Sequence, residues 1–118
     1  MARNMALGAR GEDVAVEFLI DAGLEIVERN WRCRYGELDV VATSGDRIVF
    51  VEVKTRSGVG YGSPAESVTF AKQRRIRVLA MHWLTDSGRS WSRVRFDVVA
   101  VLIGRDGVPS VEHFVDAF

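Results

Sequence analysis

Glu37-Leu38-Asp39-Val40-Val41-Ala42-Thr43, Ser44-Gly45-Asp46 and Arg47-Ile48-Val49-Phe50-Val51-Glu52-Val53-Lys54 form the stretch that decides the fold. Two apolar runs rich in valine flank a turn tripeptide, the pattern of a β-hairpin. A two-residue loop of Gly45-Asp46 suits a type II′ turn, which takes glycine first. Ser44 then faces Arg47, and counting back places Asp39 opposite Glu52 and Glu37 opposite Lys54. Side chains alternate along a strand, so Val49, Val51 and Val53 share one face, and Ile48, Phe50, Glu52 and Lys54 share the other. Both faces begin apolar, which predicts a central strand. A register slip of one residue would send the two carboxylates to opposite faces.

Charges on a central strand are costly unless they are paired, metal-bound or open to a cleft. Directly opposed residues sit about 5 Å apart on one face, so this register brings the carboxylates of Asp39 and Glu52 together, with Lys54 one step along. Two opposed carboxylates repel. Mg²⁺ relieves that repulsion, because it takes hard oxygen ligands, usually one or two carboxylates plus water and substrate phosphate. Lys54 then contacts a phosphate oxygen or stabilises an attacking hydroxide, and the set reads as a phosphodiester-hydrolysing site. A salt-bridge cluster of Asp, Glu and Lys at a sheet end is the alternative, and spacing by itself leaves both open.

Outward from this stretch, a helix is predicted from near Gly8, with Val14, Phe18 and Leu19 in helical period and Gly23 as its stop. Residues 1–7 are expected as a flexible N-terminus. Glu25 to Arg32 reads as a strand, and Gly36 precedes the strand Glu37 to Thr43. Thr55 to Pro64, with Gly58, Gly60 and Gly62, reads as a mobile loop. Gly58-Val59-Gly60-Tyr61-Gly62 is no phosphate-binding P-loop, since no Gly-Lys-Ser/Thr follows. A helix from about Ala65 to Asp86 carries an apolar stripe through Val68, Ala71, Arg75, Val78, Leu79 and Trp83. Arg93 to Ile103 and Val108 to Val115 are two further strands, separated by an Arg105-Asp106-Gly107 turn. The order α-β-β-β-α-β-β predicts an α/β fold, a mixed central sheet flanked by helices.

The chain of 118 residues fits a single domain over 1–118, with 47% hydrophobic and 27% charged residues. A folded chain of this size buries about two-thirds of its surface, and the composition, with only two prolines, argues against disorder and collagen-like repeats. A single cysteine, Cys33, excludes an internal disulfide and a multi-cysteine zinc site; it reads as a small, partly buried residue. No signal peptide and no apolar run near 18 residues is evident, so a cytoplasmic protein without membrane contact is expected.

The Asp39…Glu52-Val53-Lys54 pattern on consecutive strands, after a helix bearing Glu12, resembles the PD-(D/E)XK superfamily of restriction-endonuclease-like nucleases. Gly36-Glu37-Leu38-Asp39, Val49-Phe50-Val51-Glu52-Val53-Lys54-Thr55-Arg56, Lys72-Gln73 and Arg95-Phe96-Asp97-Val98-Val99-Ala100 together resemble the bacterial YraN-like family. That family is regarded as endonucleases distantly similar to archaeal Holliday junction resolvases. The likeness spans about Gly8 to Phe118. It implies an αβββαβ core and a Mg²⁺-dependent endonuclease, with Mn²⁺ as a substitute, acting on DNA in a branched or structured form. It assigns Asp39 and Glu52 to the metal, Lys54 to the motif lysine and Glu12 to completing the metal site. The proline of the superfamily name is absent, Leu38 standing before Asp39. A homodimer is implied by the same route, since a four-way junction needs two cuts. A nucleic-acid-binding module without turnover, or one active only with a partner, is the competing reading.

Glu12 also fits the helix dipole, which favours acids in the first turns. Lys72 and Gln73 lie on a helix that in this fold class runs beside the active face, within reach of substrate phosphate; Arg56, Arg74 and Arg75 are further substrate-binding candidates. Glu37 is expected to pair with Lys54 or with a surface cation. Asp97, inside an apolar strand, is expected to pair with an arginine or cap backbone. His82 and His113 lack any ligand spacing, and Trp31, Trp83 and Trp91 read as core or edge residues. The formal net charge is zero, which taken alone counts against nucleic acid. Its distribution is uneven: residues 67–95 hold seven basic residues against Asp86, while both flanks are net acidic. Most of those cations are arginine, which suits bidentate phosphate contact.

Overall fold

A computed structural model of the chain describes residues 2–57, 68–88 and 93–118. The element order is α1 (Ala2–Asp21), β1 (Glu25–Cys33), β2 (Gly36–Ser44), β3 (Arg47–Ser57), α2 (Phe70–Ser87), β4 (Arg93–Ile103) and β5 (Pro109–Phe114). The five strands form one mixed sheet in the order β1-β2-β3-β4-β5. All neighbours are antiparallel except β3 and β4, which run parallel and are joined through α2. Among the described residues no helix is long and apolar enough to cross a membrane.

The valine-rich β3 is central, as its two apolar faces require. Val49 and Val51 pack with Ala15, Val16 and Leu19 of α1, while Ile48 and Phe50 pack with Ile76, Leu79 and Trp83 of α2. The sheet is thus covered by one helix on each side, each sealing a separate apolar cluster. α1 ends in a Schellman motif: Leu24 N–H donates to the Leu19 carbonyl at 3.0 Å and Gly23 N–H to that of Ile20 at 2.9 Å. The helix starts at Ala2 rather than near Gly8, so residues expected as a flexible N-terminus lie within it.

α2 begins at Phe70, not Ala65. Thr69 is its N-cap and accepts from Lys72 N–H. Its buried stripe is Ile76, Leu79, Ala80 and Trp83; Ala71, Arg75 and Val78 face outward, which corrects the predicted stripe. The phase is set where the helix meets β2 and β3, and Ile76 and Ala80 share the 3.6-residue period equally well. β3 continues through Thr55 and Arg56 to Ser57, residues expected in a loop, because β4 pairs with them along that whole length. The glycine-rich loop from Gly58, with Tyr61 and Pro64, lies outside the described residues, as do Ala65 and Trp91. Cys33 is a half-buried free thiol, Trp83 is buried and Trp31 half-buried.

Candidate active site

The β2–β3 hairpin has the expected register: Ser44 faces Arg47 and Val40 faces Val51. Gly45 takes φ +61°, as a type II′ turn demands. The ladder then ends. Below Val40, β2 stays with β1, Leu38 facing Trp31 and Glu37 facing Arg32. Beyond Val51, β3 stays with β4. The two strands part like a fork, and neither Asp39–Glu52 nor Glu37–Lys54 is a ladder pair.

Asp39 sits in the crotch of that fork. Val53 N–H, which has no β2 carbonyl to meet, donates instead to Asp39 Oδ2 at 2.9 Å. The strand alternation breaks here: Val40 joins the α1-side cluster, and Leu38, two residues away, joins the α2-side cluster. Opposite Asp39, Asn30 adopts φ +54°, so β1 reverses its alternation at the same level as β2.

The expected meeting of carboxylates therefore occurs, through a fork rather than through opposed ladder positions. Asp39 and Glu52 act on each other's protonation across the fork. Burial, and then the Glu52 charge, push the Asp39 carboxyl up to about 7. Burial likewise raises Glu52, against the pull of Lys54 and Lys72. Lys54 Nζ stands 3.7 Å from Glu52 Oε1. Burial lowers the Lys54 ammonium, and neighbouring Lys72 adds to the effect. Lys72, in the first turn of α2, thus lies near Glu52 and Lys54.

The other candidates are placed as follows. Glu37 pairs with Arg32 at 3.0 Å, not with Lys54. Glu12 faces an open cleft of about 620 Å³ that Asp39 and Glu37 also line. Its Oε1 accepts from Arg29 Nε at 3.1 Å and from Asn30 Nδ2 at 2.9 Å. Its charge reaches Asp39, yet among the described residues no three Asp, Glu, His or Cys side chains converge as a ligand set. Gln73 donates to the Val68 carbonyl at 3.1 Å and so ties down the entry to α2. Arg74 and Arg75 are exposed, and Arg56 is half-buried on β3.

A family model described as "Uncharacterised protein family UPF0102" matches residues 11–101. The chain belongs to UPF0102. A UPF0102 protein of Rhodococcus jostii is 68% identical over 118 residues, covering all of both chains. One of Nocardia farcinica is 55% identical over 115 residues, 98% of this chain and 91% of its own. One of Clavibacter michiganensis is 54% identical over 112 residues, 95% of each. The UPF0102 match covers the fork, both acids, Lys54 and α2.

Two features of the UPF0102 chain escape its sequence, and a third goes further than its sequence suggests. Arg29 and Asn30 hold Glu12, but a strand reading gives no sign of a left-handed asparagine. Gly11 lets α1 approach β3 beside the cleft, because a Cβ there would overlap Thr55 Oγ1 and stand 2.7 Å from Thr55 Cβ; a glycine within a helix is the available signal. Asp97, fully buried, takes two hydrogen bonds from Arg95 at 2.9 Å, one from Asp116 N–H at 2.9 Å and a 2.7 Å contact with His113 Nε2. The expected arginine partner is present, and His113 is a structural partner as well.

Proposed function

We propose that the chain is a Mg²⁺-dependent endonuclease of the restriction-endonuclease-like class that hydrolyses DNA phosphodiester bonds, with branched or structured DNA as substrate. The carrying observation is the fork. It forces two carboxylates from neighbouring strands together in a half-buried place, where both are driven toward protonation. A divalent cation is the charge this pair lacks, and hard carboxylate oxygens are the donors that Mg²⁺ or Mn²⁺ takes. Asp39 and Glu52 would hold it. The α-β-β-β-α-β order through β4 agrees with the αβββαβ core of that class.

A bound divalent cation polarises the phosphoryl oxygen and acidifies water. The chain's own residues supply the rest. Val53 N–H fixes Asp39 Oδ2. Lys54 Nζ, its ammonium disfavoured by burial, holds or releases a proton beside the acids. Lys72, Arg74 and Arg75 offer phosphate contacts from α2. Glu12, held by Arg29 and Asn30, acts on Asp39 through its charge from across the cleft. The test is a cleavage panel of linear duplex, single strand, flap and four-way junction with Mg²⁺ or Mn²⁺. Cleavage of at least one form, abolished in Asp39→Asn and Glu52→Gln, is expected. No cleavage of any form, or cleavage untouched by both substitutions, overturns the reading.

The second reading is a nucleic-acid-binding module without turnover. The engagement of Glu12 by Arg29 and Asn30 favours it, since that leaves a two-acid set. Titration calorimetry separates the two: Mg²⁺ uptake lost in Glu52→Gln favours the nuclease, and DNA affinity without metal uptake favours the module.

A further inference from the structure

We infer that the tip of the β1–β2 hairpin is a stacking platform for an unpaired base of a nucleic-acid strand that leaves the fork along α2. The two-residue tip, Arg34-Tyr35, joins Cys33 to Gly36. Tyr35 stacks on His82 of α2, ring centroids 4.8 Å apart at 19°. The Arg34 guanidinium lies 4.8 Å from the Tyr35 ring centroid. Tyr35 nevertheless remains 49% exposed. An arginine plane, a phenol and an imidazole are thus layered at the end of a hairpin, where solvent meets the outer plane.

The platform is connected to the fork on two sides. Along β2, Tyr35 is four residues from Asp39, about 13 Å at strand rise. Along α2, Lys72, Arg75, Leu79 and His82 form one stripe, because steps of three and four residues keep to one helix face. From Lys72 to His82 is about 15 Å at helical rise. The hairpin arm lies against this stripe: a Cβ at Gly36 would stand 3.4 Å from Leu79 Cδ1 and 4.0 Å from Arg75 Cδ. The seam between arm and helix therefore runs from Glu52, Lys54 and Lys72 to the stacked rings, with Arg75 midway. Asp86 lies one turn beyond His82, and the nearest acids of the arm, Glu37 and Glu28, are engaged by Arg32 and by the Trp83 indole.

Phosphates would follow the cations, and a base would take the place of the Arg34 guanidinium over the Tyr35 ring, whose other face is held by His82. In a duplex each base already has stacked neighbours, so only an unpaired base offers a free π-face. Tyr35 is already held by its stack on His82, which lowers the entropy lost on binding. The nuclease reading enters only in placing the scissile phosphate at the fork; the platform itself rests on the seam.

The test uses the full chain in EDTA, so that no cleavage occurs, with a short labelled oligothymidylate and a duplex of equal length, read by fluorescence anisotropy. Wild type is expected to bind the single strand. Tyr35→Ala should weaken that binding roughly five- to 150-fold, the range for losing one base–aromatic stack, and leave duplex binding unchanged. Tyr35→Phe should match wild type. No affinity of wild type for the single strand overturns the proposal, as does a Tyr35→Ala loss that is absent or equal on both probes. Tyr35-dependent single-strand binding without cleavage in the metal panel removes the nuclease reading and leaves the platform. Glu52-dependent cleavage with binding indifferent to Tyr35 does the reverse.

Discussion

Asp39 is a residue whose chemistry is set by where a ladder ends. Its carboxyl titrates near 7 instead of 3.8, chiefly from burial and then from Glu52. Between those two values the native state binds more protons than the unfolded state, so stability falls as pH rises through that window. Asp39→Asn keeps an oxygen for Val53 N–H and removes the titration. In metal-free buffer the Asn variant should therefore gain in melting temperature over wild type as pH is raised from about 5 to about 8. A difference that stays flat with pH would contradict the assignment. Adding Mg²⁺ at the upper pH should raise the melting temperature of wild type and not of the variant. Asp97 is the opposite case, a buried charge with every partner in place. Asp97→Ala strands the nearly buried Arg95 guanidinium, and breaking such a pair costs about 3–5 kcal/mol, readable as a lower urea midpoint. Asp39, Glu52 and Asp97 were legible because an acid in an apolar run needs a reason. Asn30 and Tyr35 were not, since a left-handed backbone and a stack across elements leave no mark in local spacing.

At the level of elements, hairpin turn chemistry carried more information than helix periodicity. Gly45-Asp46 fixed the β2–β3 register through Val40 and Val51. It could not announce the fork, because that depends on β1 and β4 competing for the same two strands. The phase of α2 was misread for a similar reason: Ala71, Val78, Ile76 and Ala80 all fit a helical period, and only the packing partner chooses among them. α1 is placed by one missing side chain. Gly11 meets Thr55 where the helix crosses β3, and an added methyl would overlap Thr55 Cβ itself, which cannot rotate away. Gly11→Ala is expected to destabilise by about 1–3 kcal/mol, the usual range for overpacking, measured by denaturant unfolding. The same shift of α1 would move Glu12 from Arg29 and Asn30. Gly8→Ala, on the same helix with open space around its Cβ position, serves as the control and should not lower stability.

Across the whole molecule, the zero net charge conceals a division of labour. Glu12, Glu37 and Asp39 line one cleft and Glu52 stands beside Asp39, while Lys72, Arg74, Arg75 and Arg77 follow one another on α2. Under the proposed function, a strand of nucleic acid would meet repulsion at the fork and attraction along the helix, and metal and basic helix would act on different parts of the same ligand. The two contributions separate by salt. Each phosphate neutralised on a single strand adds about −0.7 to the slope of log K against log salt concentration. If Arg74 and Arg75 each hold one phosphate, the Arg74→Gln/Arg75→Gln variant should bind the single strand more weakly. Its slope should also be shallower by about 1.4. Tyr35→Ala should lower affinity at every salt concentration with the slope unchanged, because stacking releases no counterions. A Tyr35→Ala slope as shallow as that of the arginine variant would mean that the hairpin tip works through the Arg34 charge and not through the ring.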